Sequence, residues 1–282
     1  MAIYDLMGKD VPLFHYAVSD DETSAGAQFV EAGESVVRVG VVNDRQGVRG
    51  MSARADLVEL SSAKTSILLD FDGPVCSIFS DRLAPDIAAS LRGVIADAGL
   101  PIPADIEAAR DPLDVLKWSA ILGRPAIVRQ VEAQLCAEEV AAARTAAPTP
   151  FGRETIIGAL EAGKSLAIVS NNSAGAIQVY LSRQRLTRYK LPISGRAYAR
   201  PDLMKPNPEP ILTAAKLANA SPADCVLIGD SMADIDGSHA AGTQVIGYAN
   251  RPEKVARFTD AQAELVITSM GEVASALVEL RL

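Results

Sequence analysis

Asp70 and Asp72 stand one residue apart at the end of the apolar run Ser66-Ile67-Leu68-Leu69, and the chain breaks immediately afterwards at Gly73-Pro74. An apolar run of this length reads as a buried strand, so both acids emerge at its carboxyl end, where open α/β sheets place their ligands. The pattern recurs at Cys225-Val226-Leu227-Ile228-Gly229, which runs into Asp230 and, four residues on, Asp234. Between them lie Ser165-Leu166-Ala167-Ile168-Val169, ending in Ser170-Asn171, and Lys205 in Met204-Lys205-Pro206. Carboxylate oxygens suit a hard divalent cation, of which Mg²⁺ is typically held by one or two acids and keeps several waters; Asp70 and Asp230 offer that set. A lysine and a serine hydroxyl beside them supply a fixed positive charge and a hydrogen-bond donor.

Each residue alone has a plainer explanation. Asp favours turns and helix starts, Ser170 suits a turn, and Lys205 suits a solvated surface. The order in which they follow apolar strands is what singles them out. In that order the chain resembles the haloacid dehalogenase-like (HAD) hydrolase superfamily, whose four motifs match Asp70/Asp72, Ser170, Lys205 and Asp230/Asp234. The resemblance covers about residues 64–282. It departs from the usual pattern at Pro74, where the family often has Thr or Val, and residues before Lys64 have no counterpart in the minimal family.

The resemblance implies a Mg²⁺-dependent phosphatase acting on a small phosphorylated metabolite, with the backbone carbonyl of Asp72 as a further metal ligand. A phosphate monoester is anionic, so a carboxylate nucleophile needs a cation to cancel the repulsion between them. Asp70 would attack phosphorus and form an aspartyl-phosphate. Asp72 would protonate the leaving oxygen and then deprotonate the water that clears the intermediate. Lys205 and Ser170, with the backbone N–H of Asn171, would hold the phosphoryl oxygens. Asp234 would support the metal or orient Lys205, and Asp236 reads as a helix-surface acid. Members that cleave carbon–halogen bonds lack an acid at the Asp72 position, which favours phosphate chemistry. A sugar-phosphate phosphomutase, or a non-catalytic phosphate-sensing or partner-binding protein, are the alternatives.

The 27 basic against 35 acidic residues give a net charge of −8, with no basic run, which argues against binding nucleic acid or an anionic membrane. No apolar stretch approaches the length of a membrane span. Met1-Ala2-Ile3-Tyr4-Asp5 lacks the charged and apolar regions of a signal peptide, so a cytoplasmic location is expected. Cys76, Cys136 and Cys225 lack metal-ligand spacing and read as buried thiols of a reducing compartment. Cys76 follows Asp72 by four residues, and an accessible thiol there would make oxidation or alkylation inhibitory. His239 reads as a surface or packing residue.

Helix-type spacing near Asp86 to Ala98, Pro112 to Leu122 and Pro125 to Ala143 predicts an all-helical segment, closed by the linker Pro148-Thr149-Pro150. An insertion of this kind after the first strand resembles the family's cap domain. From Phe151 onward helices alternate with strands near Leu166, Val226, Val245 and Val266, which implies a parallel sheet covered by helices. The expected architecture is therefore α/β, a Rossmann-like parallel sheet with a helical cap inserted after the first core strand. Its parts are an N-terminal extension at 1–63, a core at 64–79 and 150–282, and a cap at 80–149. Arg82, Lys117, Arg124 and Arg129 are cap cations that could reach an anionic leaving group, although each reads more readily as a solvated helix charge, and Trp118 either packs the cap or lines its mouth.

Within the extension, Ser35 to Val42 and Ala55 to Leu60 suggest a hairpin or sheet extension. An accessory element serving homo-oligomerisation, a flexible leader, and a true start at Met51 are the readings left open for it. Gly158 to Ser165 spells a phosphate-binding P-loop, but in inverted context, with a helix before it and a strand after it; Gly163 reads as a helix C-cap. The glycines at 40–50 lack the spacing of a dinucleotide site.

Overall fold

The computed structural model describes residues 55–281. Five apolar runs and one short pair form a single parallel sheet: β1 (Ser66–Asp70), β4 (Ser165–Val169), β5 (Ile193–Ser194), β6 (Cys225–Gly229), β7 (Gln244–Tyr248) and β8 (Leu265–Ile267). The spatial order is β5-β4-β1-β6-β7-β8. The chain runs outward from β1 through β4 and β5 on one side, then returns to β6 on the other, so β1 and β6 flank the point where the winding reverses. A crevice opens at the carboxyl ends of strands at such a point.

Strand residues alternate between two cores, as a sheet covered on both faces requires. Ile67, Leu69, Leu166, Ile168, Val226 and Ile228 join one cluster, while Leu68, Ala167, Val169, Leu227 and Val245 join the other. The first face is covered by α6 (Gly152–Glu161), α7 (Ala174–Arg183) and α11 (Met270–Glu279), and the second by α8 (Glu209–Leu217), α9 (Met232–Ala241) and α10 (Pro252–Asp260). The P-loop spelling falls across α6 and β4, and Gly163 has φ +73°, so it closes the helix.

Between β1 and α6 the chain forms α2 (Ala84–Asp97), the short α3 (Ala104–Glu107), α4 (Pro112–Ile121) and α5 (Pro125–Ala143). Ile87, Leu91, Ile95, Val115, Leu116, Val131 and Leu135 give this segment a core of its own, into which Trp118 packs. Helix α5 serves two cores, because Ala142 and Ala143 at its end join the first sheet-face cluster. One feature departs from the all-helical expectation: β2 (Cys76–Ser77) pairs antiparallel with β3 (Ala147–Pro148), so the segment expected as a linker is partly a strand that ties the exit of the insertion to its entrance.

Residues 55–63 form a helix, α1, which corrects the expected hairpin strand over Ala55 to Leu60. Leu57 and Ser61 lie one turn apart on its buried face, with Val58 and Leu60 half-buried beside them. That spacing of 3–4, in a run of Ala, Leu and Glu, satisfies a helix, whereas a strand would send successive residues to opposite faces. The expected 1–63 extension therefore ends in a helix packed on the sheet. Ser35 to Val42 and the glycines at 40–50 lie outside the described residues. No helix among the described residues is long and apolar enough to cross a membrane.

Leu57 is 2 % exposed within the first core cluster. Leu57→Ala is expected to cost about 2–5 kcal/mol, read as a lower urea midpoint with an unchanged slope. An unchanged midpoint would show that α1 contributes nothing to the core.

Candidate active site

Four strand or loop ends meet at the crevice beside β1. Asp70 ends β1, Ser170 follows β4, Asp230 follows β6, and Lys205 arrives on the loop before α8. Asp234 is added from the first turn of α9, where it forms a capping box with Ser231: Ser231 N and Oγ donate to its Oδ2, and its own N–H is bonded to Ser231 Oγ. Close approach depends on glycine at two positions. A Cβ on Gly73, which has φ +114°, would lie 2.4 Å from the Asp230 carboxyl carbon, and one on Gly229 would lie 2.4 Å from that of Asp234.

The Lys205 ammonium is 2.9 Å from Asp70 Oδ1 and 2.5 Å from Asp234 Oδ1, and all three groups are buried. Burial pulls the lysine down, but Asp234 and Asp70 together push it above its ordinary range, so it stays charged. Burial, then the nearby Asp234, hold the Asp70 carboxyl well above its ordinary range despite Lys205, with Asp230 adding to the repulsion. Asp70 Oδ1 accepts the Phe71 N–H. Asp72, half-buried, accepts the Ile78 N–H, and burial pushes its carboxyl up to about 6.

Asp230 is steered from the far side. Lys254 donates to its backbone carbonyl and to Oδ2, and Asn250 donates to the same Oδ2, which leaves Oδ1 without a hydrogen-bond partner among the described residues. Ligand oxygens of Asp70, Asp230 and Asp234 lie within 4.8 Å of one another. Asp234 has both oxygens engaged, one by Lys205 and one by Ser231, so Asp70 and Asp230 are the pair with capacity for a cation. The Asp72 side chain is turned to Ile78 instead. Asp70, Asp72, Asp230 and Asp234 meet two ammonium groups, Lys205 and Lys254, leaving an excess of negative charge that suits a divalent cation. The donor set and its charge fit such an ion.

Asn171 takes a part not foreseen from the sequence. Its side-chain amide donates to the Lys205 carbonyl and accepts from the Lys205 N–H, which fixes the lysine's backbone. Ser170 Oγ accepts the Asn172 N–H and donates to Asn172 Oδ1. Behind this loop is a buried ion cluster that the sequence reading missed. Arg196 bridges Glu132 and Glu139 of α5 at 2.8 and 2.6 Å, and also donates to the Asn171 carbonyl. Glu139 accepts the Ser173 N–H and a longer bond from Asn172. The signal in the sequence was two acids seven residues apart, Glu132 and Glu139, on an otherwise apolar helix face.

A cavity of about 690 Å³ opens over these groups, lined by Asp70, Asp72, Ser170, Asn171, Lys205 and Asp230 at its base. Its upper wall brings in Phe79, Leu113, Arg110 and Arg251. None of the four cap cations weighed from the sequence lines it, in keeping with their reading as solvated helix charges: Arg82 pairs with Glu138, Lys117 pairs with Asp114, and Arg124 and Arg129 are exposed. Cys76 is fully buried, and burial pushes its thiol far above the usual range, which overturns the expected reactive cysteine. Asp236 and His239 are exposed, as expected.

Arg196→Met would strand two buried carboxylates. It is expected to lower stability by about 3–5 kcal/mol. A urea denaturation midpoint equal to that of the parent chain would show that the cluster is not the tie between α5 and the loop at 170–173.

The chain is similar in sequence and fold to known proteins. The family model described as haloacid dehalogenase-like hydrolase matches residues 128–248, a span that holds Ser170, Lys205, Asp230 and Asp234 but not Asp70 or Asp72. The phosphoglycolate phosphatase of Xylella fastidiosa is 30 % identical over 192 residues, covering 63 % of this chain and 76 % of the relative. The plasmid phosphoglycolate phosphatase of Cupriavidus necator is 29 % identical over 208 residues, covering 66 % of this chain and 82 % of the relative. Among solved structures, a hydrolase from Pseudomonas syringae superposes with a TM-score of 0.58 at 18 % identity, over 77 % of this chain and 99 % of that one.

Proposed function

We propose that this chain, which belongs to the haloacid dehalogenase-like hydrolases and is a phosphatase, hydrolyses a small phosphorylated metabolite with Mg²⁺ through an aspartyl-phosphate on Asp70. The observation that carries this reading is the convergence of Asp70, Lys205, Asp230 and Asp234 at the carboxyl ends of neighbouring strands. The phosphoglycolate phosphatases among its relatives support a small substrate.

Asp70 Oδ1 is held by Lys205 and the Phe71 N–H, which leaves Oδ2 for attack on phosphorus. Lys205 remains charged and lowers the repulsion between that carboxylate and the phosphoryl oxygens. Mg²⁺ held by Asp70 and Asp230, with the Asp72 carbonyl implied by the family resemblance, would neutralise phosphate charge and favour the ionised form of Asp70. Asp72, with its carboxyl near 6, carries a proton in a useful fraction of molecules at neutral pH and gives it to the leaving oxygen. Once ionised, the same group takes a proton from the water that attacks the phosphoaspartate. Ser170 and the Asn171 N–H receive the phosphoryl oxygens, and the Asn171 side chain keeps Lys205 in place while they do.

Two experiments test the assignment. Phosphate release from phosphorylated metabolites is expected to require Mg²⁺, to stop on chelation, and to fall on the order of a thousandfold or more in Asp70→Asn. Substantial hydrolysis by that variant would refute the nucleophile. Asp72→Asn is expected to lose on the order of a hundredfold or more in the first step with an alkyl phosphate, and far less with p-nitrophenyl phosphate, whose leaving group needs no proton. The acid form is present below about 6 and lost above it. The burst rate with the alkyl ester should therefore fall roughly tenfold per pH unit on the alkaline side in the parent enzyme. Equal losses on both esters would remove Asp72 as the proton donor.

A further inference from the structure

The groups at the base of the cavity account for the phosphate, but not for what it is attached to. Three cations line the cavity: Lys205, Arg110 and Arg251. Lys205 is already committed to Asp70 and Asp234. The two arginines are not committed. Both are exposed, and neither guanidinium makes a hydrogen bond or ion pair with any described residue.

Their origins differ. Arg110 lies on the cap between α3 and α4, next to Asp111, and Arg251 lies on the core at the residue that precedes α10. Asp111 also lines the cavity, but its carboxylate accepts the Leu113 N–H to cap α4 and forms no ion pair with Arg110. Phe79, Ala84, Pro85 and Leu113 on the same lining are apolar and offer no competing hydrogen bonds to a charged substrate group. An uncommitted surface arginine is ordinarily a solvated one. Here two of them, from separate parts of the fold, share the concave surface whose base holds Asp70.

We propose that Arg110 and Arg251 form a second anion subsite that takes a carboxylate on the leaving group, so that the substrate is a small phosphorylated carboxylate bound at once to the cap and to the core. The inference rests on the phosphatase reading of the same cavity. A guanidinium pairs with a carboxylate through two parallel N–H donors, which fixes orientation as well as charge. A carboxylate beside a phosphate brings extra negative charge into a site already rich in acids, and two free cations at the wall offset it. Because one arginine is on the cap and the other on the core, the carboxylate favours the arrangement in which both walls are in place, and a substrate lacking it loses that help.

The test compares phosphoglycolate with 2-hydroxyethyl phosphate, which has the same chain length and no carboxylate. The parent enzyme is expected to favour phosphoglycolate in kcat/KM. Arg110→Ala and Arg251→Ala should each reduce that value by about tenfold or more while changing turnover of 2-hydroxyethyl phosphate by less than about twofold. Equal losses on both esters, or a parent enzyme with no preference, would overturn the subsite. Calorimetric titration of Asp70→Asn in Mg²⁺, alone and combined with each arginine change, reads the same contrast in Kd without turnover. Hydrolysis of neither ester would refute the phosphatase reading for these substrates. The titration would still decide the subsite: a Kd advantage for phosphoglycolate that disappears with either arginine supports it, and identical Kd values for the two esters sink it.

Discussion

A single ammonium group, that of Lys205, stands between two buried carboxylates, Asp70 at 2.9 Å and Asp234 at 2.5 Å. Without it, two like charges would be held together away from water, an arrangement that costs several kcal/mol per ion. The rest of the site is built outward from this contact. The Asn171 side chain grips the lysine's backbone, the α9 capping box fixes Asp234, and β1 fixes Asp70. The lysine does not cancel all the negative charge, since Asp230 and Asp72 are also near, and Asp70 remains well above its ordinary range. That residual imbalance is the physical reason for reading a divalent cation into the site.

The fold makes this concentration of charge affordable by spreading its supports over the two cores. Asp70 ends β1 and Asp230 directly follows the adjacent parallel strand β6, and the side chains of both strands alternate between the two faces, so neither acid shifts without disturbing a packed layer. The loop with Ser170 is backed by the Arg196 cluster on α5, which belongs both to the cap core and to the sheet core. Cap and the loop at 170–173 are thus joined through buried ions rather than through apolar contact alone. The pairing of β2 with β3 closes the other end of the insertion.

Asp70 and Asp72 illustrate how two acids one residue apart acquire different characters. Asp70 lies at the strand end beside Lys205, whereas Asp72 sits past the turn, half-buried, with only the Ile78 N–H to favour its charge. Burial outweighs that bond and brings the Asp72 carboxyl to about 6. On the proposed mechanism a nucleophile and a proton donor are made from one residue type because their surroundings differ.

How much of this was legible in the sequence follows from the range of the forces involved. The uninterrupted apolar runs of β1, β4 and β6 and the order of Asp70, Ser170, Lys205 and Asp230 at their ends can be read along the chain, and they determined the parallel sheet and the base of the site. Helix α1 departs from the strand expected at Ala55 to Leu60 because a short apolar run fits either period until the surface it packs on is known. Cys76 was judged by its distance along the chain from Asp72, but its burial depends on the turn that folds it inward. Arg196 meets Glu132 and Glu139 across about 60 residues, and Arg110 meets Arg251's cavity across more than twice that separation. The sequence by itself determined which residues could do the chemistry and that strands would deliver them together. Which cations flank the cavity, and which buried charges brace its loop, only the tertiary structure decided, because those pairings depend on how cap and core pack and leave no periodic trace along the chain.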